Sequence, residues 1–290
     1  MPLVPAGETP LPRIGGRFEL VRLLGIGATS RVDAAWDHQD AAWVALKRID
    51  LRAFDGHAAL FEREVASLRL LQHPDIAALI ASGIAGHFAW LALALAPGVD
   101  LSRYTQPARV LPLPVVLGLV ERIARALSYA HLKGVVHRDL KPANLRLHWA
   151  SDRLTLLDFG LARTADAAAT RTGLVPGTPA YMAPELLAGA LPSPASDLYA
   201  LGATLFHLLT GRLPHQADSL GALLQRVASQ AAPDLRESLP AASSALADLV
   251  AALLAREPLA RPADALAVAA ALARERLLSQ AAAHGPMSRG

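Results

Sequence analysis

At Pro97-Gly98 the apolar pattern of the chain changes character, strand-like before and helix-like after, so its fold must hold both kinds of structure. Residues 18–96 favour strands, with Phe18, Leu20, Val44 and Leu46 in short apolar runs near turns. Within this half Phe61, Val65, Leu68 and Leu71 recur at helical spacing, and His73-Pro74 follows the end of that stripe. Beyond Gly98, Val116, Leu119, Val120, Ile123 and Leu127 form one helical stripe that Gly134 stops. Strand-like runs at 145–147 and 154–157 follow. Residues 198–210 are apolar on most faces and end at Gly211, which predicts a buried helix. Ala/Leu-rich helices continue to about residue 278, and 281–290 reads as a loose tail. The expectation is an α+β chain with a small sheet-rich lobe, a larger helical lobe, and a cleft near residues 94–98.

Composition narrows the function classes. Hydrophobic residues make up 53% of the 290, which excludes disorder across the whole chain. The formal charge is +3, with both signs interspersed and no dense Lys/Arg block, which argues against a nucleic-acid partner. There are no cysteines, so disulfides and thiolate metal sites are absent, as suits a reducing cytoplasm. Residues 1–12 lack the basic-then-apolar pattern of a signal peptide. The most apolar run, 88–96, is far short of the roughly 20 residues a bilayer span needs, so no membrane span and a cytoplasmic location are expected.

Four segments carry chemistry. After Leu24 comes Gly25-Ile26-Gly27-Ala28-Thr29-Ser30-Arg31-Val32, whose glycines let backbone N–H groups approach a phosphate chain. Taken alone such a segment is more often a plain turn, and Ser30 stands where G-x-G-x-x-G has its third glycine. Val44-Ala45-Leu46-Lys47 ends a strand in one cation. Glu64, beside the helical stripe, is placed to meet that cation or a neighbour on its own helix. His137-Arg138-Asp139-Leu140-Lys141-Pro142-Ala143-Asn144 sets a carboxylate, an ammonium and an amide between a helix and a strand. That grouping suits phosphoryl transfer: Asp139 accepts a hydroxyl proton, Lys141 neutralises phosphate charge, and Asn144 holds a metal ion. Asp158-Phe159-Gly160 follows the next strand, with Asp158 a hard oxygen ligand and Gly160 a pivot.

In this order, and joined by Ala183-Pro184-Glu185, Asp197 and Arg261, the motifs over residues 17–275 resemble the eukaryotic-type (Hanks-type) protein serine/threonine kinases, in their bacterial branch. The resemblance implies a bilobal kinase fold: a lead-in at 1–16, an antiparallel-sheet N-lobe with one main helix at 17–96, a mostly helical C-lobe at 97–275 and a tail at 276–290. It implies ATP as phosphoryl donor with Mg2+, or alternatively Mn2+, held by Asn144 and Asp158. Catalysis would rest on Asp139, Lys141, Lys47 and Glu64. The nucleotide would meet Leu24, Gly25, Ile26, Gly27, Ala28, Thr29, Ser30, Arg31, Val32, Ala45, Lys47, Ala94, Ala96 and Arg146, with Leu93 guarding the back of the pocket. Leu68, Leu79, His137 and Phe159 would stack in one column, and Arg261 would pair with Glu185. Lys141 two positions after Asp139, and Gly177-Thr178, are the marks of the serine/threonine branch. In the loop at 161–182, Thr164, Thr170 and Thr172 are candidate phosphorylation sites, Thr170 and Thr172 foremost. The partners implied are protein substrates bearing Ser or Thr, a regulatory protein and a cognate phosphatase.

One position departs from the family. Two residues after Asn144, where an aliphatic side chain is usual, stands Arg146, and alternation turns it away from Leu145 and Leu147 toward the nucleotide. An unpaired, desolvated guanidinium there costs several kcal/mol, part of which stacking on adenine would offset. Weakened or altered ATP affinity, not its loss, is therefore expected. Arg146 and Ser30 are also the residues that favour a rival reading, a pseudokinase serving as a nucleotide-binding or scaffold module. A small-molecule kinase of similar fold is the third class, opposed by Ala183-Pro184-Glu185 and the long threonine-bearing loop.

Overall fold

The structure is a computed structural model that describes residues 13–27, 30–54, 58–159 and 179–283, with the side chains of 53–54, 58–60, 64 and 282–283 outside that description. The described residues divide into two units. The first holds residues up to Arg69 together with Ala78–Ala96; the second holds Leu70–Ala77 and everything from Pro97 onward.

The first unit is a five-stranded sheet ordered β1-β2-β3-β5-β4, formed by β1 (Phe18–Ile26), β2 (Ser30–Asp37), β3 (Ala42–Asp50), β4 (Leu79–Ala85) and β5 (Phe88–Ala94). Every pair is antiparallel; short connections impose this on β1–β2, β2–β3 and β4–β5, and the β3–β5 pair joins strands separated by a helix and β4. Period-2 alternation sorts the side chains. Val44, Leu46 and Ala92 pack on one face with Phe18, Ala35 and Trp90, and the Phe18 and Trp90 rings meet edge-on at 5.4 Å. That ring leaves no space at Gly83, where a Cβ would sit 2.5 Å from Trp90. Helix α1 (Ala58–Arg69) buries Phe61 and Val65 as the stripe predicts. Leu71 is buried too, but beyond the helix end and in the second unit.

In the second unit, α2 (Leu113–Leu132) buries Val116, Leu119, Val120, Ile123 and Leu127, the whole expected stripe. A three-stranded sheet ordered β6-β7-β8 follows, from β6 (Val99–Asp100), β7 (Leu145–His148) and β8 (Arg153–Leu156). After the short α3 (Pro184–Leu187) comes α4 (Pro194–Thr210), opened by a Ser193–Ser196 capping box and closed by Gly211 at φ 68°. It is buried on nearly all sides, as its apolar composition demands. The remaining helices are α5 (Leu220–Ser229), α6 (Leu235–Ser238), α7 (Ser244–Leu253) and α8 (Ala265–Ala283). The last lies along α2, and its Arg276 Nη2 reaches Glu121 Oε2 at 3.1 Å. Its end corrects the expected tail: residues 281–283 are helical, since alanine is the strongest helix former.

Residues 70–77, which the sequence reading leaves in the small lobe, are tied into the second unit by backbone and side chain. Ala77 N donates to Leu156 O at 3.0 Å, and Leu156 N to Asp75 O at 2.8 Å. Tyr129 Oη donates to Leu70 O at 3.1 Å and accepts from Gln72 N at 3.0 Å. Arg122 of α2 forms an ion pair with Asp75. Among the described residues, no helix is long and apolar enough to cross a membrane.

Candidate active site

The first unit carries the glycine segment and the lysine. Glycines 25 and 27 flank Ile26 at the end of β1, and Gly27 N donates to Ser30 O at 2.7 Å to close the turn. Leu24 and Ile26 are exposed; Ala28 and Thr29 lie outside the described residues. In the β2–β3 register Val32 pairs with Lys47 and Ala34 with Ala45. Val32, Ala45 and Lys47 therefore share the face opposite the Phe18–Trp90 core. Lys47 is only 5% exposed. Glu64 sits on α1, its side chain outside the description. Leu93 and Ala94 end β5, where Ala94 N donates to Ala78 O at 2.9 Å, and Ala96 is buried just beyond.

The second unit carries the acid, and α4 holds the loop that presents it. The Asp197 carboxylate, 1% exposed, accepts the amides of His137 at 2.7 Å and Arg138 at 2.9 Å, and His131 Nε2 at 2.8 Å. These bonds hold Arg138 at φ 70°, a left-handed backbone costing on the order of 1–3 kcal/mol for a non-glycine residue. The His137 ring is fully buried, and burial pushes its pKa below the ordinary value. Its Nδ1 accepts from Asp139 N at 3.3 Å, which puts the ring proton on Nε2. Phe159 lies against it, ring centroids 4.5 Å apart. This is one half of the expected column; Leu68 and Leu79 belong to the first unit.

Asp139, Lys141 and Asn144 converge. Lys141 Nζ is 2.8 Å from Asp139 Oδ2, and Asn144 Nδ2 donates to the same oxygen at 2.9 Å and to Asp139 O at 2.7 Å. A 3-10 turn at Pro142–Asn144 brings the amide back toward the acid, and Leu157 N donates to Asn144 O at 2.8 Å. Both amide donors of Asn144 are thus turned to Asp139, leaving its Oδ1 as an acceptor. Asp158 follows at φ 53°. An amide oxygen and a carboxylate fit a hard divalent cation that takes its remaining ligands from phosphate oxygens and water. Among the described residues there is no cluster of three or more His, Cys, Asp or Glu that could hold a metal.

Arg146 is where the structure adds most to the sequence reading. Leu145 and Leu147 are fully buried and Arg146 half-buried, so the alternation holds. Its guanidinium is not unpaired, however: Nη2 donates to the Gly98 carbonyl, while Nε is buried with no partner among the described residues. Gly98 has φ 89°, and a Cβ there would meet Leu147 O at 2.1 Å, so only glycine brings this carbonyl so close to β7.

The Glu185–Arg261 pair forms as the resemblance implies, through two bonds of 2.7 Å. Arg261 also donates to the carbonyls of Ala195, Ala255 and Arg256, and its guanidinium lies 5.2 Å from the Tyr199 ring centre. Gly160, Thr164, Thr170, Thr172, Gly177 and Thr178 lie outside the described residues. Sequence reasoning missed His131, whose signal is a lone polar residue in the last turn of an apolar helix, and the Tyr181 Oη–His207 Nδ1 bond of 2.6 Å.

An antiparallel sheet unit bearing a buried strand lysine, and a helical unit bearing an Asp-Lys-Asn loop, define the protein kinase class. The chain belongs to the protein kinase domain family, which matches residues 18–274. It is 35% identical over 272 residues to serine/threonine-protein kinase pkn2 of Myxococcus xanthus, covering 88% of this chain and 32% of that one. With serine/threonine-protein kinase PknA of Mycobacterium tuberculosis the identity is 34% over 242 residues, covering 79% and 56%. The crystal structure of the Mycobacterium tuberculosis PknI kinase domain matches with a TM-score of 0.71 and 30% identity, covering 89% of this chain and 95% of that one. The chain spans between a third and somewhat over half of these curated relatives' lengths.

Proposed function

We propose that the chain is an ATP-dependent protein serine/threonine kinase, with residues 17–275 as its catalytic domain. The observation that carries this reading is the convergence of Lys141 Nζ and Asn144 Nδ2 on Asp139 Oδ2, at 2.8 and 2.9 Å. Asp139 accepts the proton of a Ser or Thr hydroxyl as its oxygen bonds to the γ-phosphorus and the bond to the ADP oxygen breaks. Lys141 neutralises the transferring phosphoryl group. Lys47, steadied by Glu64, holds the α- and β-phosphates, and the backbone of residues 24–32 covers them. Val32, Ala45, Ala94, Ala96 and Arg146 line the base. Asn144 and Asp158 would hold Mg2+, which supplies charge neutralisation along the phosphate chain. Names of relatives at 30–36% identity support protein Ser/Thr substrates.

Autophosphorylation at Thr170 and Thr172, a regulatory partner, a cognate phosphatase and a cytoplasmic location complete the reading; the absence of cysteine supports the last. The test is transfer of labelled phosphate from ATP with Mg2+, to the chain itself and to a generic basic protein. Label on threonine in the wild type, lost in Asp139→Asn and Lys47→Met, is the expected result. Folded, nucleotide-binding protein that transfers nothing would overturn the proposal in favour of the pseudokinase.

A further inference from the structure

A cavity of about 350 Å3 opens on the first unit at the end of the sheet where β2 starts, β3 ends and β5 starts. Arg48 and Asp50, two of its lining residues, alternate with Lys47, so they stand on the face opposite the one proposed to meet nucleotide. Its charged wall is Arg31 and Arg48, paired across β2 and β3, with His87 from the turn before β5. Phe88, which pairs with Asp50 across β3 and β5, gives it an apolar flank. Gly27 and Ser30, joined by the bond that closes the glycine turn, form its remaining edge.

Among the described residues the charges around it do not cancel. Asp33, buried, takes Arg31 Nε at 3.1 Å and Arg48 Nη2 at 2.7 Å, one carboxylate against two guanidinium groups. Asp50 faces Arg52 instead, whose Nη2 lies at 2.6 Å and which holds the Asp50 carboxyl down at about 2. The cluster of Arg31, Arg48, Asp33, Asp50 and Arg52 therefore carries one net positive charge, and His87 adds another when protonated. Arg31 is half-exposed, with N–H groups left over after Asp33 is satisfied, and Arg48 Nε has no partner among the described residues. Two forked guanidinium groups beside an apolar wall suit a tetrahedral oxyanion carrying an apolar substituent.

We propose that this cavity binds a small phosphomonoester, its phosphate between Arg31 and His87 and its organic part against Phe88. The occupant touches Gly27 and Ser30 from outside and so holds the turn whose other side faces the nucleotide. Its binding requires neither ATP nor turnover.

The test titrates phenyl phosphate, without nucleotide or metal, into the full chain and follows binding by calorimetry. Four proteins are compared: wild type, Lys47→Met, Arg31→Gln and His87→Glu, the last altering an exposed turn residue. Saturable binding is expected in the wild type, unchanged in Lys47→Met and about tenfold or more weaker in the other two, the loss of one charge-assisted bond. The proposal fails if binding is not saturable, if Lys47→Met abolishes it, or if folded Arg31→Gln and His87→Glu bind as the wild type does. None of these readouts depends on kinase activity.

Discussion

Asp197, at the head of α4, accepts the backbone amide of Arg138 at 2.9 Å and thereby holds a left-handed residue directly before the proposed base Asp139. A buried helix with few exposed atoms is a rigid support, so the loop inherits its precision from the core and not from its own sequence. Asp197→Asn offers one oxygen to two amides and turns an NH2 group toward the other. It is expected to cost about 1–3 kcal/mol of stability. Misplacement of Asp139 by about 1 Å would slow transfer about 100-fold. Thermal melting and phosphate-transfer rates on the same preparation check this; an Asp197→Asn protein with the wild-type rate would refute it.

The Glu185–Arg261 pair should respond asymmetrically. Arg261, its side chain fully buried, serves a carboxylate and three carbonyls, whereas Glu185 is partly open to water. Arg261→Met strands all four acceptors and should cost about 3–5 kcal/mol. Glu185→Gln keeps the three carbonyl bonds and should cost about 1–3 kcal/mol. Denaturant titration of both variants and the double variant gives the comparison; equal losses would contradict the geometry.

Arg146→Leu should strengthen ATP binding, by about tenfold or less. Covering Arg146 with a base would enclose a charge whose Nε already lacks a partner among the described residues, and leucine removes that penalty. The bond to Gly98 O is lost as well, at a cost of about 1 kcal/mol in stability. A nucleotide titration is the measurement, and equal affinities in the two proteins would show that Arg146 swings clear.

Acid should destabilise the fold. Burial pushes the pKa of His73, His137, His207 and His215 below the ordinary 6.5, so each is neutral in the folded chain where the unfolded chain is charged. Between the folded and unfolded values the unfolded chain binds more protons. Stability is therefore full above about pH 6.5 and falls as pH drops below it, by up to about 1.4 kcal/mol per pH unit for the fully buried His137 and by less for the three less deeply buried histidines. Urea midpoints at pH 7.5 and 5.5 check the sign, and a His207→Gln protein should show a shallower fall.

Much of this was legible because the informative residues are close in sequence or repeat with a period. Asp139, Lys141 and Asn144 fall within six positions, and a short turn suffices to bring them together. The buried helix announced itself by apolar residues all round and Gly211 at its end. What stayed hidden depends on distant backbone. Leu71 matches helical spacing, yet segment 70–77 is committed elsewhere by Asp75 O and Ala77 N, and those atoms leave no mark on a side-chain pattern. Arg146 found its acceptor 48 residues away, in a carbonyl that any residue would possess. Only the requirement for glycine at 98 hints at that close approach, and a Pro-Gly pair is more simply read as a turn.

The placement of residues 70–77 bears on how the chain can be divided as well as on packing. The polypeptide passes from one unit to the other at 69/70, 77/78 and 96/97, so neither unit is an uninterrupted stretch of chain. A gene fragment encoding only residues 97–290 would lack the carbonyl that receives Leu156 N and the carboxylate that receives Arg122. One encoding only 1–96 would carry those groups with nothing to receive. Neither fragment alone therefore completes the hydrogen bonds and the ion pair that segment 70–77 makes within the second unit.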